Sequence, residues 1–258
     1  MKTSFEFNSN FNLVDNFALT LALGTIAALA NVFGGFIVTA RSHWNQEFLK
    51  YFIAFGSGFL LAAVFLKMIP ISYEQSKLAP LFILIGYFVI HFFEHTAVPH
   101  FHFGEETHPE FLVPRAVGVS ALVGLTTHTF FDGVSIASGF IINPALGFLI
   151  FLAIMLHKIP EGFTIASLFL ASGRSRKKAL ISSFIIGAAT LAGVVLMQFF
   201  HSLVSHGLAL SAGVSIYVAA SDLIPEVNKE KGIKLSVMVF IGVGLFYVTE
   251  FLLEKLGL

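Results

Sequence analysis

Gly124-Leu125-Thr126-Thr127-His128-Thr129-Phe130-Phe131-Asp132-Gly133, followed further along by Leu156-His157-Lys158-Ile159-Pro160-Glu161-Gly162, decides how this chain is read. Each stretch sets a histidine and a carboxylate four positions apart inside a long apolar run. The runs are continuously apolar, without the period-two alternation of barrel strands, so they read as helices. Positions i and i+4 stack on one helix face. Each segment therefore offers one imidazole and one carboxylate in a common direction, and two such helices joined by a short turn would bring four ligands to one divalent cation.

The surrounding composition says what encloses that cluster. Of 258 residues, 56% are hydrophobic, 31 are Phe and only 12% are charged; mean hydropathy is +0.86. A soluble domain carries about a quarter charged residues, so these charges are too few to cover a globule. The class is an all-α integral membrane protein. With no cysteine, disulfides and thiolate metal sites are excluded. Zero net charge offers no bulk attraction to nucleic acid. The first twenty residues lack the basic start and small-residue cleavage site of a removable signal, so the first apolar helix is expected to persist in the mature protein.

A bilayer core of ~30 Å needs roughly 20 apolar residues per helix. Eight stretches qualify: Asn16–Ala40, Tyr51–Pro70, Leu78–Val98, Ala116–Ile141, Pro144–Ala171, Ala179–Phe200, Leu203–Leu223 and Leu235–Leu253. Ile142-Asn143-Pro144 separates the fourth from the fifth, with proline suited to a first helical position, which predicts a tight hairpin. The basic residues Arg41, Lys50, Arg115, Arg174, Arg176, Lys177, Lys178, Lys229, Lys231 and Lys234 fall in loops of one side. The other side and the tails hold Lys2, Lys77 and Lys255, with Lys67 near a helix end. By the positive-inside rule, both termini are non-cytoplasmic. The whole chain, 1–258, reads as a single transmembrane domain with no evident repeat period. Its longest loop, 99–114, is cytoplasmic and carries His100, His102 and His108.

Ionisable groups inside a span cost several kcal/mol and mark function by default. His128 and His157 each lie ~20 Å along their helix from the turn, near mid-membrane. Asp132 and Glu161 follow one helical turn away. Two imidazoles and two carboxylates suit zinc, ferrous iron, manganese or cobalt, whereas calcium prefers oxygen alone. The alternative is two ordinary i,i+4 polar pairs that satisfy each other or bind helices together. Pro160 removes the backbone bond to the Leu156 carbonyl and should kink the fifth helix there.

His128-xxx-Asp132-Gly133 and His157-Lys158-Ile159-Pro160-Glu161-Gly162 resemble the fourth- and fifth-helix signatures of the ZIP (Zrt/Irt-like protein) family of divalent metal transporters. Phe55–Pro70 is similar to that family's second helix and Ser211–Glu226 to its seventh. The resemblance implies a 3+2+3 helix bundle whose central hairpin carries metal, flux toward the cytosol, a homodimer, and residence in the cell (inner or plasma) membrane. On that basis His128, Asp132, His157 and Glu161 are the expected metal ligands. The chain departs from the family pattern at Thr129, at Lys158 and at Gly193, where other members carry further ligands. Those departures point to one metal site rather than two, with the Lys158 ammonium standing where a second cation would sit; otherwise Lys158 pairs elsewhere.

His91 and His95 on the third span and Asp222 on the seventh either line a path to the cytoplasmic loop or are solvated helix ends. Lys67 stands where many family members have histidine, and either repels incoming cations or snorkels to the interface. Two other functions compete with a carrier. A membrane-embedded zinc hydrolase would need an open coordination position and a base, and no HExxH is present. A metal sensor would bind without moving the ion. The expectation is therefore a transporter and not an enzyme, with a divalent cation and the bilayer as its partners.

Overall fold

The computed structural model describes residues 13–40, 46–97, 115–229 and 233–256. Among them there is no strand. Helix α1 spans Leu13–Ala40; α2 runs Gln46–Ala63, then through a π turn, Val64–Met68, into Ile69–Gln75. Helix α3 is Ala79–Ala97, α4 Arg115–Ile142, α5 Pro144–Ala171 and α6 Arg176–Phe199. Helix α7 runs Val204–Tyr217, then through a π turn, Val218–Leu223, into Ile224–Asn228, and α8 is Ile233–Lys255. Each of the eight stretches expected from hydropathy falls on one of these rods.

The turns follow from local chemistry. Asn143 caps α5 by accepting from Ala145 and Leu146 N–H at 2.8 and 3.2 Å, and Pro144 takes the first helical position, where no donor is needed. At the other end of α5, Gly173 adopts φ +74°, a left-handed conformation that costs glycine little. Arg174 N–H then donates to the Phe169 carbonyl at 3.0 Å. The two π turns each precede a proline, Pro70 and Pro225, whose missing N–H breaks the regular ladder. Helix α5, by contrast, runs unbroken through Pro160. The freed Leu156 carbonyl lies against α2, where a Cβ on Gly56 would meet it at 3.2 Å.

Among the described residues, six helices are long and apolar enough to cross a membrane, and α3 and α4 are not among them. The apolar part of α3, Ala79–Phe93, is shorter. Helix α4 is long enough at 28 residues, but Thr126, Thr127, His128, Thr129, Asp132, Ser135 and Ser138 dilute its hydropathy. Those polar groups are tolerated because α4 is central, buried on every side from Asp132 to Phe140. It lies against α3, α5, α6 and α7, while α5 lies against α1, α2, α4 and α6. Outer helices turn aliphatic and aromatic faces outward: Phe240, Tyr247 and Phe251 on α8 and Phe184 on α6 are exposed. Such faces belong against lipid, where every backbone group must be satisfied within its own helix.

The bundle contains an internal repeat that the amino-acid sequence does not announce. A Cβ at Gly58 (α2) would collide with the Val239 carbonyl (α8), and one at Gly242 with the Phe55 carbonyl. The same reciprocal lock joins α7 to α3, with Gly213 on the Ile83 carbonyl and Gly86 on the Leu210 carbonyl. A second set relates α1/α5 to α6/α4. Gly34 meets Ile159 O and Gly162 meets Asn31 O, while Gly193 meets Phe130 O and Gly133 meets Thr190 O. Small residues admit this backbone approach, which is the main source of helix adhesion in lipid. Helices α1, α2, α3 thus correspond to α6, α7, α8, and α4 corresponds to α5.

Candidate metal centre

Helix α4 supplies His128 and Asp132; α5 supplies His157, Lys158 and Glu161. Because α4 and α5 are joined by a tight turn and run antiparallel, His128 and His157 come to similar depth, and the side chains reach across the hairpin, His128 to Glu161 and Asp132 to His157 and Lys158. His128 Nε2 lies 2.7 Å from Glu161 Oε1 and 3.2 Å from Asp132 Oδ2. His157 Nε2 lies 3.5 Å from Asp132 Oδ2, and the two imidazole centroids are 5.7 Å apart. One donor atom from each of the four residues falls within 4.8 Å of all the others. A tetrahedral zinc with bonds near 2.1 Å needs donors about 3.4 Å apart, so a contraction of an ångström or so closes the set. None of the five side chains is more than 3% exposed.

The tautomer of His157 is set from behind. Its Nδ1 lies 3.0 Å from the Ala153 carbonyl; that bond requires the proton on Nδ1 and turns the Nε2 lone pair inward, as a metal-ligating imidazole needs. Inside the cluster, His157 Nε2, both nitrogens of His128, Asp132 Oδ1 and Glu161 Oε1 have no hydrogen-bond partner. Buried polar atoms are seldom left that way, since each costs about 1–3 kcal/mol unpaired. They are close in space yet not aligned on one another, the disposition of ligands that share a target rather than bond each other.

Lys158 occupies the other side of the carboxylates. Its Nζ donates to Asp132 Oδ2 and, at 2.8 Å, to Glu161 Oε2. Glu161 thus gives Oε2 to the ammonium and turns Oε1 toward His128, whereas Asp132 presents the same Oδ2 to the ammonium and to both imidazoles. Two carboxylates and one ammonium leave the cluster one negative charge before any cation binds. Thr129 turns away, donating to the Thr126 carbonyl at 3.2 Å, and Gly193 is used up in backbone contact with Phe130.

Asn31 of α1 is part of the centre and was not singled out from the sequence. It is wholly buried. With its amide oriented to donate, its nitrogen reaches the Lys158 carbonyl at 2.6 Å and Glu161 Oε2 at 3.2 Å. The signal was present: an amide in the middle of an otherwise apolar span is a polar group that needs a partner on another helix.

A narrow cleft is lined by Leu125, His128, His157, Glu161, Val218, Asp222 and Leu223. Asp222 therefore borders the same space as the cluster. His91 does not line it; its ring packs on Tyr217 and Phe88 at centroid distances of 6.0 and 6.1 Å. The His95 side chain and the loop 99–114 lie outside the described residues.

The description "ZIP Zinc transporter" belongs to the family model that matches residues 104–250. The chain is 26% identical over 269 residues to Zinc transporter ZupT of Chlorobium limicola, covering 93% of this chain and 100% of that protein. It is also 26% identical over 199 residues to ZupT of Nitratidesulfovibrio vulgaris, 74% of this chain and 67% of that one. Zinc transporter zipt-7.2 of Caenorhabditis elegans is 28% identical over 123 residues, 43% of this chain but only 27% of that protein, so the chain spans about a quarter of that relative's length. The matched region contains both histidine–carboxylate helices and the cleft-lining part of α7. The chain belongs to the ZIP family of divalent metal transporters.

Proposed function

We propose that this protein carries a divalent transition metal, zinc foremost, with iron, manganese or cobalt as chemically allowed alternatives, across a cell membrane into the cytosol. The ion is held by His128, Asp132, His157 and Glu161 at a single mid-membrane site. One observation carries this reading: four buried side chains from two antiparallel helices converge, one donor atom of each lying within 4.8 Å of all the others. Lys158 stands in for a second cation, because its ammonium already bridges the two carboxylates. A neutral cargo site would not need that charge, and a two-metal site would have no room for it.

The chain forms one transmembrane domain, 1–258, of eight spans in a 3+2+3 arrangement with non-cytoplasmic termini, and it assembles as a homodimer. The reciprocal glycine locks, which match α1–α3 to α6–α8 around α4 and α5, support the 3+2+3 grouping. The basic residues at Arg174, Arg176, Lys177 and Lys178 support the orientation. That orientation puts Asp222 and the cleft on the cytosolic side of the site, so Asp222 would receive the ion on release, and the histidines of loop 99–114, together with His95, would take it onward.

Uptake of radioactive zinc into liposomes holding the purified protein tests the proposal, with His157→Ala as control. Time-dependent accumulation that the substitution removes is expected. Binding without accumulation would point to a sensor instead.

A further inference from the structure

Lys67 is an ionisable residue of α2 that the central site does not use. Its Nζ pairs with Glu250 of α8, and the two side chains are 28% and 20% exposed. The internal repeat gives this pair a place. Met68-Ile69-Pro70 after one π turn corresponds to Leu223-Ile224-Pro225 in the other, so Lys67 is the counterpart of Asp222. The first half of α2 lies against the last part of α7, and the last part of α2 against the first half of α7. The two helices are therefore antiparallel, and Lys67 and Asp222 sit at opposite ends of the bundle.

The cleft beside Asp222 is walled by Leu125, Val218 and Leu223. The counterparts of those residues are Ile154, Ala63 and Met68, and all three are fully buried. A cleft thus reaches the site beside Asp222, and Lys67 holds the corresponding place on the other half. In transporters built from repeats, access alternates between two such half-paths about one fixed site. The mouth of the half-path opposite the cleft would carry an ammonium where the cleft side carries a carboxylate.

Resting on the transport reading above, we propose that Lys67 and Glu250 form a charge filter at the mouth of the half-path opposite Asp222, in which Glu250 is the cation's first protein ligand and Lys67 its tethered competitor. A divalent ion arriving there must displace the ammonium from the carboxylate. Lys67 keeps the mouth neutral at rest, so cations are drawn to it less strongly than to a bare carboxylate.

Zinc uptake by liposomes holding wild type, Lys67→Gln, Glu250→Gln or the double variant separates this role from that of a staple between α2 and α8. A bare charge near an incoming divalent ion should shift KM roughly fivefold at low salt. Lys67→Gln is expected to lower KM, Glu250→Gln to raise it, and the double variant to return near wild type. All shifts should shrink at high ionic strength. A staple makes both single variants move together, losing stability and maximal rate with KM unchanged; that result overturns the filter. Should wild type bind zinc without accumulating it, the transport reading alone falls. The filter is then judged by the stopped-flow rate of zinc association in detergent, expected fastest for Lys67→Gln and slowest for Glu250→Gln; equal rates overturn it.

Discussion

His128 Nε2 and Glu161 Oε1 stand 2.7 Å apart across the α4–α5 hairpin without forming a hydrogen bond. Distance brings them together and orientation keeps them from each other. On the proposed reading, an ion between the helices would resolve that tension by accepting both lone pairs, together with those of His157 and Asp132.

Removing one ligand should therefore be felt first in affinity. Asp132→Asn keeps the shape but loses the anionic oxygen, and His128→Ala loses the imidazole. Changes one shell further out already cost about 10–100-fold in metal affinity, so each of these is expected to cost more. Calorimetric titration of zinc into purified protein measures it; wild-type affinity in either variant would remove that residue from the site.

Lys158→Ala exposes the two buried carboxylates to each other. Breaking a buried ion pair from one side costs about 3–5 kcal/mol, so the metal-free variant should melt well below wild type in detergent. Added zinc should recover much of that loss by binding the folded state, and elemental analysis should approach two ions per chain against one for wild type. Failure of zinc to restore stability would show that the ammonium does not hold a cation's place.

Asn31→Leu deletes the donor to Glu161 Oε2 and to the Lys158 carbonyl. The expected result is a loss of about 1–3 kcal/mol of stability and weaker zinc binding with ligands intact. A variant that loses stability but keeps wild-type affinity would make Asn31 a packing residue only.

The glycine locks predict a contrast between two positions on one helix. At Gly242 a Cβ runs into the Phe55 carbonyl, whereas at Gly244 nothing lies within 4 Å. Gly242→Ala should destabilise by about 1–3 kcal/mol through overpacking. Gly244→Ala should be neutral or slightly stabilising, because alanine favours the helix by about 1 kcal/mol. Thermal unfolding in detergent reports both.

Hydropathy placed all eight rods, and the spacing of His128 to Asp132 and of His157 to Glu161 made the buried cluster legible, because both are local properties of a helix. The membrane assignment of α4 was harder to support by composition, since its polar groups face protein rather than lipid. Helix α5 continues through Pro160, as a helix bent at a proline also does. The Leu156 carbonyl it frees is enclosed by α2 beside Gly56, and that contact is invisible from α5 alone.

What the chain's own letters determined was class, span and the one-per-turn pairing of ligand types, all of which depend on residues a few positions apart. Helix rotation decided the rest. It set which oxygen of each carboxylate meets Lys158, brought Asn31 from a distant span onto Glu161, paired Lys67 with Glu250, and gave the bundle its hidden repeat. These are contacts between helices far apart in the chain, fixed by which glycines let two backbones close on each other. Such closeness is a property of facing surfaces, and neither surface carries it alone.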